Sequence, residues 1–223
     1  MLRDPARRNV LILALSQGLV TVGTSTMIAE AALVGHMLAD NKALATLPLA
    51  LQQIGVMATT FPASFLMRRI GRRAGFSIGA VLGIIGTAIA AWGVIQASFW
   101  LFCLGAAFNG AYNGFGTFYR FAAADGAGAA LRGRAISYVM AGGLIAAAIG
   151  PELAKLTQHM LDPYTFAGSF VALSGVAVLA LALLQFLDIP PPAAVERAGQ
   201  GRSLREIGRQ PTFIVAVLGG MIS

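Results

Sequence analysis

The stretch Arg68-Arg69-Ile70-Gly71-Arg72-Arg73 holds four arginines in six residues, with a long apolar run on each side, Leu44 to Met67 and Ala74 to Gln96. Four guanidinium groups cannot rest in hydrocarbon, so this segment is a short turn at a membrane surface. Each flanking run is about the twenty residues that a helix needs to cross a bilayer core. The chain therefore reads as a polytopic membrane protein.

Composition points the same way. Hydrophobic residues make up 57% of the chain and charged residues 11%, where soluble domains carry about a quarter charged. The net charge of +7 does not indicate nucleic acid, because the basic residues sit in small clusters between apolar runs with no aromatic-interleaved basic face. Cys103, the one cysteine, lies in an apolar run and reads as a small buried hydrophobe. The first apolar run is too long for a cleavable signal peptide and is expected to stay in the membrane.

Six spans can be placed: Asn9 to Met37, Leu44 to Met67, Ala74 to Gln96, Ser98 to Phe121, Ala135 to Leu156 and Tyr164 to Leu187. Pro190, Pro191 and Pro192 then stop helical bonding, and a charged stretch runs to Arg209. A further apolar run opens at Pro211 and reaches Ser223, too short to cross. The expected organisation is a six-span bundle over 1–188, a cytoplasmic linker over 189–210 and the incomplete start of a seventh span over 211–223, the chain being part of a longer polypeptide.

Arginine placement orients the spans. Arg3, Arg7 and Arg8 precede span one, the four-arginine turn joins spans two and three, Arg120, Arg132 and Arg134 surround the next such link, and Arg197, Arg202, Arg205 and Arg209 follow span six. Of the 16 basic residues, only Lys42 and Lys155 fall on the other side. By the positive-inside rule the N-terminus and every even-to-odd link are cytoplasmic.

This layout resembles the N-terminal half of a major facilitator superfamily transporter. The family's signature in the two-to-three loop reads GxxxD(R/K)xGRR, and Arg69, Gly71, Arg72 and Arg73 match it, while Ser64 and Arg68 stand where the family has glycine and aspartate. In span five, Gly142, Ala146 and Gly150-Pro151 resemble the superfamily's glycine-proline motif; small residues four apart let a neighbouring helix approach closely, and the proline permits a bend. Asp125, with Arg132 nearby, resembles the family's charged cytoplasmic end. The resemblance implies an all-α fold, half of a twelve-helix transporter, and a gating cluster formed by Arg69, Gly71, Arg72, Arg73, Asp125 and Arg132. An ordinary solvated ion pair is the competing reading of that cluster.

Polar groups inside the spans mark candidate sites. Asn109, Tyr112 and Asn113 fall at spacings of three and four on span four, and Gln17, Thr21 and Thr24 form a similar stripe on span one at comparable depth. Gln52 and Gln53 add amides on span two. In the family fold spans one and four line the central cavity, so the first six would face the solute; the alternative is hydrogen bonding that merely fastens helices. Glu30 and Glu152 are proton-coupling candidates, against hydration near the outer surface for Glu30 and a local pair with Lys155 for Glu152. Tyr119 and Arg120 read as an interfacial aromatic and a snorkelling cation. His36 and His159 lack metal-ligand spacing, and no metal or cofactor is expected.

The expected function is secondary active transport of a small organic solute by alternating access, with or without proton coupling. The alternative is a channel or an interaction subunit. No HExxH, serine-histidine-aspartate set or dense carboxylate cluster suggests an enzyme. The expected partners are the solute, protons, the lipid bilayer and a second six-helix half, with no nucleic acid. The expected location is a bacterial inner membrane.

Overall fold

The computed structural model describes residues 5–127 and 131–189, and among these there is no strand. Among the described residues seven helices follow one another: α1 Pro5–Leu38, α2 Leu47–Ile70, α3 Arg72–Ile95, α4 Phe99–Gly116, α5 Tyr119–Gly126, α6 Arg132–Thr157 and α7 Ala167–Leu184, with a 3-10 turn at Lys42–Leu44. Five of the described helices are long and apolar enough to cross a membrane. Of the expected linker only Ile189 is described; the rest of it and the start of a seventh span lie outside the described residues.

Local chemistry explains the breaks. Gly71 has a φ of 90°, a region a side chain seldom adopts, so the arginine turn needs no more than this residue to separate α2 from α3. The Ser98 side chain caps α4 by accepting from the Leu101 amide, satisfying an otherwise orphaned first-turn donor. At the far end of α1, Lys42 Nζ donates to the carbonyls of His36 and Ala39 at 2.7 and 2.8 Å, closing off the last turn.

The fourth expected span is interrupted. Helix α4 stops at Gly116 after 18 residues and a short α5 of 8 residues follows. Gly114 and Gly116 weaken helical propensity there, and Thr117 Oγ1 turns back to the Gly114 carbonyl at 2.8 Å. Helix α4, 18 residues long and carrying Asn109, Tyr112 and Asn113, is not one of those five.

Around α1 the bundle is assembled from close pairs: α6 lies along α1, α4 fits between α2 and α3, and α7 covers α3 and α1. One apolar core gathers Phe76, Tyr112, Phe115 and Tyr119 toward the arginine end; a second gathers Met27, Val34, Phe102 and Phe170 toward the other. Tyr119 is fully buried and meets the Phe76 ring edge-on at a centroid distance of 4.7 Å, so it is a core residue rather than an interfacial one. Arg120 lies over the Phe121 ring, 4.9 Å from its centroid.

At the arginine end α1 is fastened to the segment that follows α7. Asn9 Nδ2 donates to the Asp188 carbonyl at 2.6 Å, and the Asp188 amide donates back to Asn9 Oδ1 at 3.1 Å. Arg8 adds an ion pair to the Asp188 carboxylate at 3.2 Å.

Candidate polar site and charge cluster

Two helices bring amides together in the interior, and a third adds a hydroxyl. Gln52 Nε2 on α2 donates to Asn109 Oδ1 on α4 at 3.0 Å. Asn113 Nδ2, one turn on, donates to the same oxygen at 3.5 Å. Thr24 Oγ1 on α1 donates to Asn113 Oδ1 at 3.0 Å. Gln52 and Asn109 are 1% and 2% exposed and Asn113 is 9% exposed, so the chain of bonds runs from a sealed end at α2 toward a half-open one at α1.

The α2–α4 approach makes this possible. A Cβ on Gly110 would collide with the Gln52 carbonyl oxygen, and one on Gly55 with the Ala107 carbonyl oxygen. Backbones that close leave room for short amide side chains to meet and for little else.

Of the remaining stripe residues, Gln17 and Thr21 are half-buried and bond each other, Gln17 Nε2 to Thr21 Oγ1 at 3.3 Å. They sit beside Gly143 of α6, where an added Cβ would lie 3.3 Å from Gln17 Cγ and 3.2 Å from Thr21 Oγ1. Tyr112 goes elsewhere. Its ring packs against Gly83 of α3 and it is 4% exposed, so the three-residue offset from Asn109 carries it into the core instead of onto the amide face. Gln52 was visible in sequence as an intramembrane amide; its pairing with Asn109 was not, because nothing in either segment specifies the register between α2 and α4.

The small residues of α6 serve α1. A Cβ on Gly142 would lie 2.6 Å from the Ala14 carbonyl oxygen, and one on Gly150 would meet Ser25 and, at 2.8 Å, the Val22 carbonyl oxygen. Ala146 is buried in the same seam. Helix α6 continues through Pro151, and Thr26 Oγ1 crosses from α1 to the Gly150 carbonyl at 2.9 Å.

At the arginine end, Arg72 Nη2 contacts Asp125 Oδ2, joining the start of α3 to α5. Arg73 donates to Gln185 Oε1 at 3.3 Å, and Gln185 Nε2 donates to Ser77 Oγ at 3.0 Å. Arg69 and Arg132 are exposed. The carboxylate that the sequence singled out is therefore brought to the basic turn, by Arg72 in particular.

The two membrane carboxyls differ. Glu30 is 3% exposed and accepts from Ser169 Oγ of α7 at 2.8 Å, while its other oxygen, buried, has no hydrogen-bond partner. Glu152 is exposed and accepts from Lys155 Nζ at 2.7 Å. Among the described residues no group of histidine, cysteine, aspartate and glutamate could hold a metal ion.

A family model described as Major Facilitator Superfamily matches residues 10–223. The riboflavin transporter RfnT of Brucella anthropi is 41% identical over 98% of this chain and 55% of its own length. A protein of Bacillus subtilis named uncharacterized MFS-type transporter YdeG is 25% identical over 86% of this chain and 45% of its own length. The chain spans about half the length of these curated relatives.

Proposed function

The chain belongs to the Major Facilitator Superfamily, and from that premise we propose that it is the N-terminal part of a secondary transporter that moves riboflavin, or a solute of the same heteroaromatic kind, by alternating access. The observation that carries the reading is the bond chain from Gln52 through Asn109 and Asn113 to Thr24. Amides both donate and accept, which suits a neutral ring system edged with carbonyls and N–H groups. Gln17 and Thr21 extend the same face, while Tyr112 supports it from behind. The name of the Brucella anthropi relative supports the choice of solute.

In this scheme residues 1–188 form one rigid half, 189–210 a cytoplasmic linker and 211–223 the start of a second half, which rocks against the first. The protein acts as a transporter and not an enzyme, in a bacterial inner membrane. The Arg72–Asp125 contact, with Arg69, Gly71, Arg73 and Arg132 around it, serves as the inner gate. Asp125→Asn is expected to slow transport by up to roughly fivefold, since a partly exposed ion pair contributes about 1 kcal/mol or less. Membrane insertion stays intact. Unchanged initial rates of uptake would leave the turn as a topology anchor alone.

Of the two proton-coupling candidates Glu30 has the stronger support, because its unpartnered oxygen offers a place for a proton, whereas Glu152 is held by Lys155 on the surface of α6. Glu30→Gln, which keeps an acceptor for Ser169, is expected to abolish accumulation against a gradient while leaving solute counterflow intact. Accumulation at the unsubstituted level would remove Glu30 from the coupling scheme.

The decisive experiment reconstitutes the full coding polypeptide in vesicles with radiolabelled riboflavin and an imposed pH gradient. Gradient-driven accumulation is the expected result. Equilibration without accumulation, accompanied by conductance, would instead identify a channel. Accumulation of another heteroaromatic solute in place of riboflavin would correct the solute and keep the transport reading.

A further inference from the structure

The flank of α1 and α6 that faces away from the polar stripe carries an open groove. On α1 its wall is the line of Leu11, Leu15 and Val22 over Gly18, about a third of a turn round the helix from Gln17, Thr21 and Thr24. On α6 the facing wall is Ile145 and Ile149, with Gly142 at the floor. The small residues of the seam make the floor deep, because neither Gly18 nor Gly142 raises a side chain into it.

Three observations restrict what fits. The walls are almost wholly apolar, so the occupant is hydrocarbon along its length. From Leu11 to Val22 the α1 wall extends about 16 Å by helical rise, close to the roughly 15 Å that one leaflet contributes to the bilayer core. The groove ends at the arginine side, where Arg7, Arg134 and Tyr138 line its mouth. Two guanidiniums at headgroup depth complement a phosphate, which arginine can bind with two parallel hydrogen bonds. A tyrosine with an apolar body and polar tip suits the same boundary.

We propose that this groove is a binding site for one anionic phospholipid of the cytoplasmic leaflet, its acyl chain on the Gly18–Gly142 floor and its headgroup phosphate between Arg7 and Arg134. The lipid fills the open flank where α6 lies along α1 and supports α6 there.

The test uses the full-length polypeptide with every native tryptophan, Trp92 and Trp100 among them, replaced by phenylalanine, so that an indole introduced by Tyr138→Trp is the only reporter. The protein is reconstituted in phosphatidylcholine vesicles containing chain-brominated phosphatidylglycerol or chain-brominated phosphatidylcholine, and quenching is titrated. Phosphatidylglycerol is expected to quench at lower mole fraction, by about fivefold for each arginine near the headgroup. Arg7→Gln and Arg134→Gln each reduce the preference by about that factor, and together bring the two lipids to parity. Equal quenching by both lipids before any arginine is replaced overturns the proposal. So does a preference that survives the double replacement, or an indole that neither lipid quenches because protein covers it.

Discussion

Gly110→Ala is expected to force α2 away from α4 and to lower the melting temperature of the detergent-solubilised protein by several degrees. The added methyl would overlap the Gln52 carbonyl oxygen, which is backbone and cannot rotate aside, so relief requires the two helices to separate. Overpacking of this kind costs about 1–3 kcal/mol, and each kcal/mol corresponds to roughly 2–4 °C for a chain of this size. The separation also draws Gln52 from Asn109, so solute transport falls with stability. Gly175→Ala on α7 is the matched control. A Cβ there meets nothing within 4 Å, and alanine improves helix propensity by about 1 kcal/mol, so its melting temperature should hold or rise. Equal effects of the two substitutions would show that α2 and α4 do not approach as closely as described.

The second large effect separates recognition from fastening. Asn113→Ala removes the amide at the half-open end of the bond chain and leaves the buried Gln52–Asn109 pair in place. If Asn113 hydrogen-bonds the solute, the loss strands a solute group and raises KM by about 5-fold to 150-fold, from the roughly 1–3 kcal/mol that an unpaired polar group costs. Melting should change little, because polar contacts between membrane helices average about 0.6 kcal/mol. Gln52→Ala, at the sealed end, should do the reverse and destabilise more than it raises KM. Matching KM shifts in both variants would mean that the four residues hold helices together and do not touch solute.

The features legible in sequence were those that depend on one segment at a time. The arginine turn announced a break between two helices, and Gly71, with its φ of 90°, is the residue that makes it. The spacing of Gly142, Ala146 and Gly150 announced a close helix neighbour, which turned out to be α1. Asp125 was singled out as a partner for the basic turn, and Arg72 is the arginine that reaches it. What depended on two segments was hidden. Asn109, Tyr112 and Asn113 share spacings that suggest one face, yet a helix packed on three sides has no single inner face, and Gly83 on α3 leaves a hollow that takes the Tyr112 ring. Tyr119 looked interfacial from its place beside Arg120, but the early end of α4 turns it back against Phe76. No pattern in the sequence links Asn9 to Asp188 or Ser169 to Glu30.

The pairing of Asn9 with Asp188 has a mechanical side. Two hydrogen bonds exchanged between one side chain and one backbone unit resist sliding as well as separation, and the Arg8 ion pair resists rotation about them. Tension arriving along the chain beyond Ile189 therefore loads α1 directly instead of peeling α7 from the outside of the bundle. Among the described residues, α1 and the segment that follows α7 share that load through Asp188.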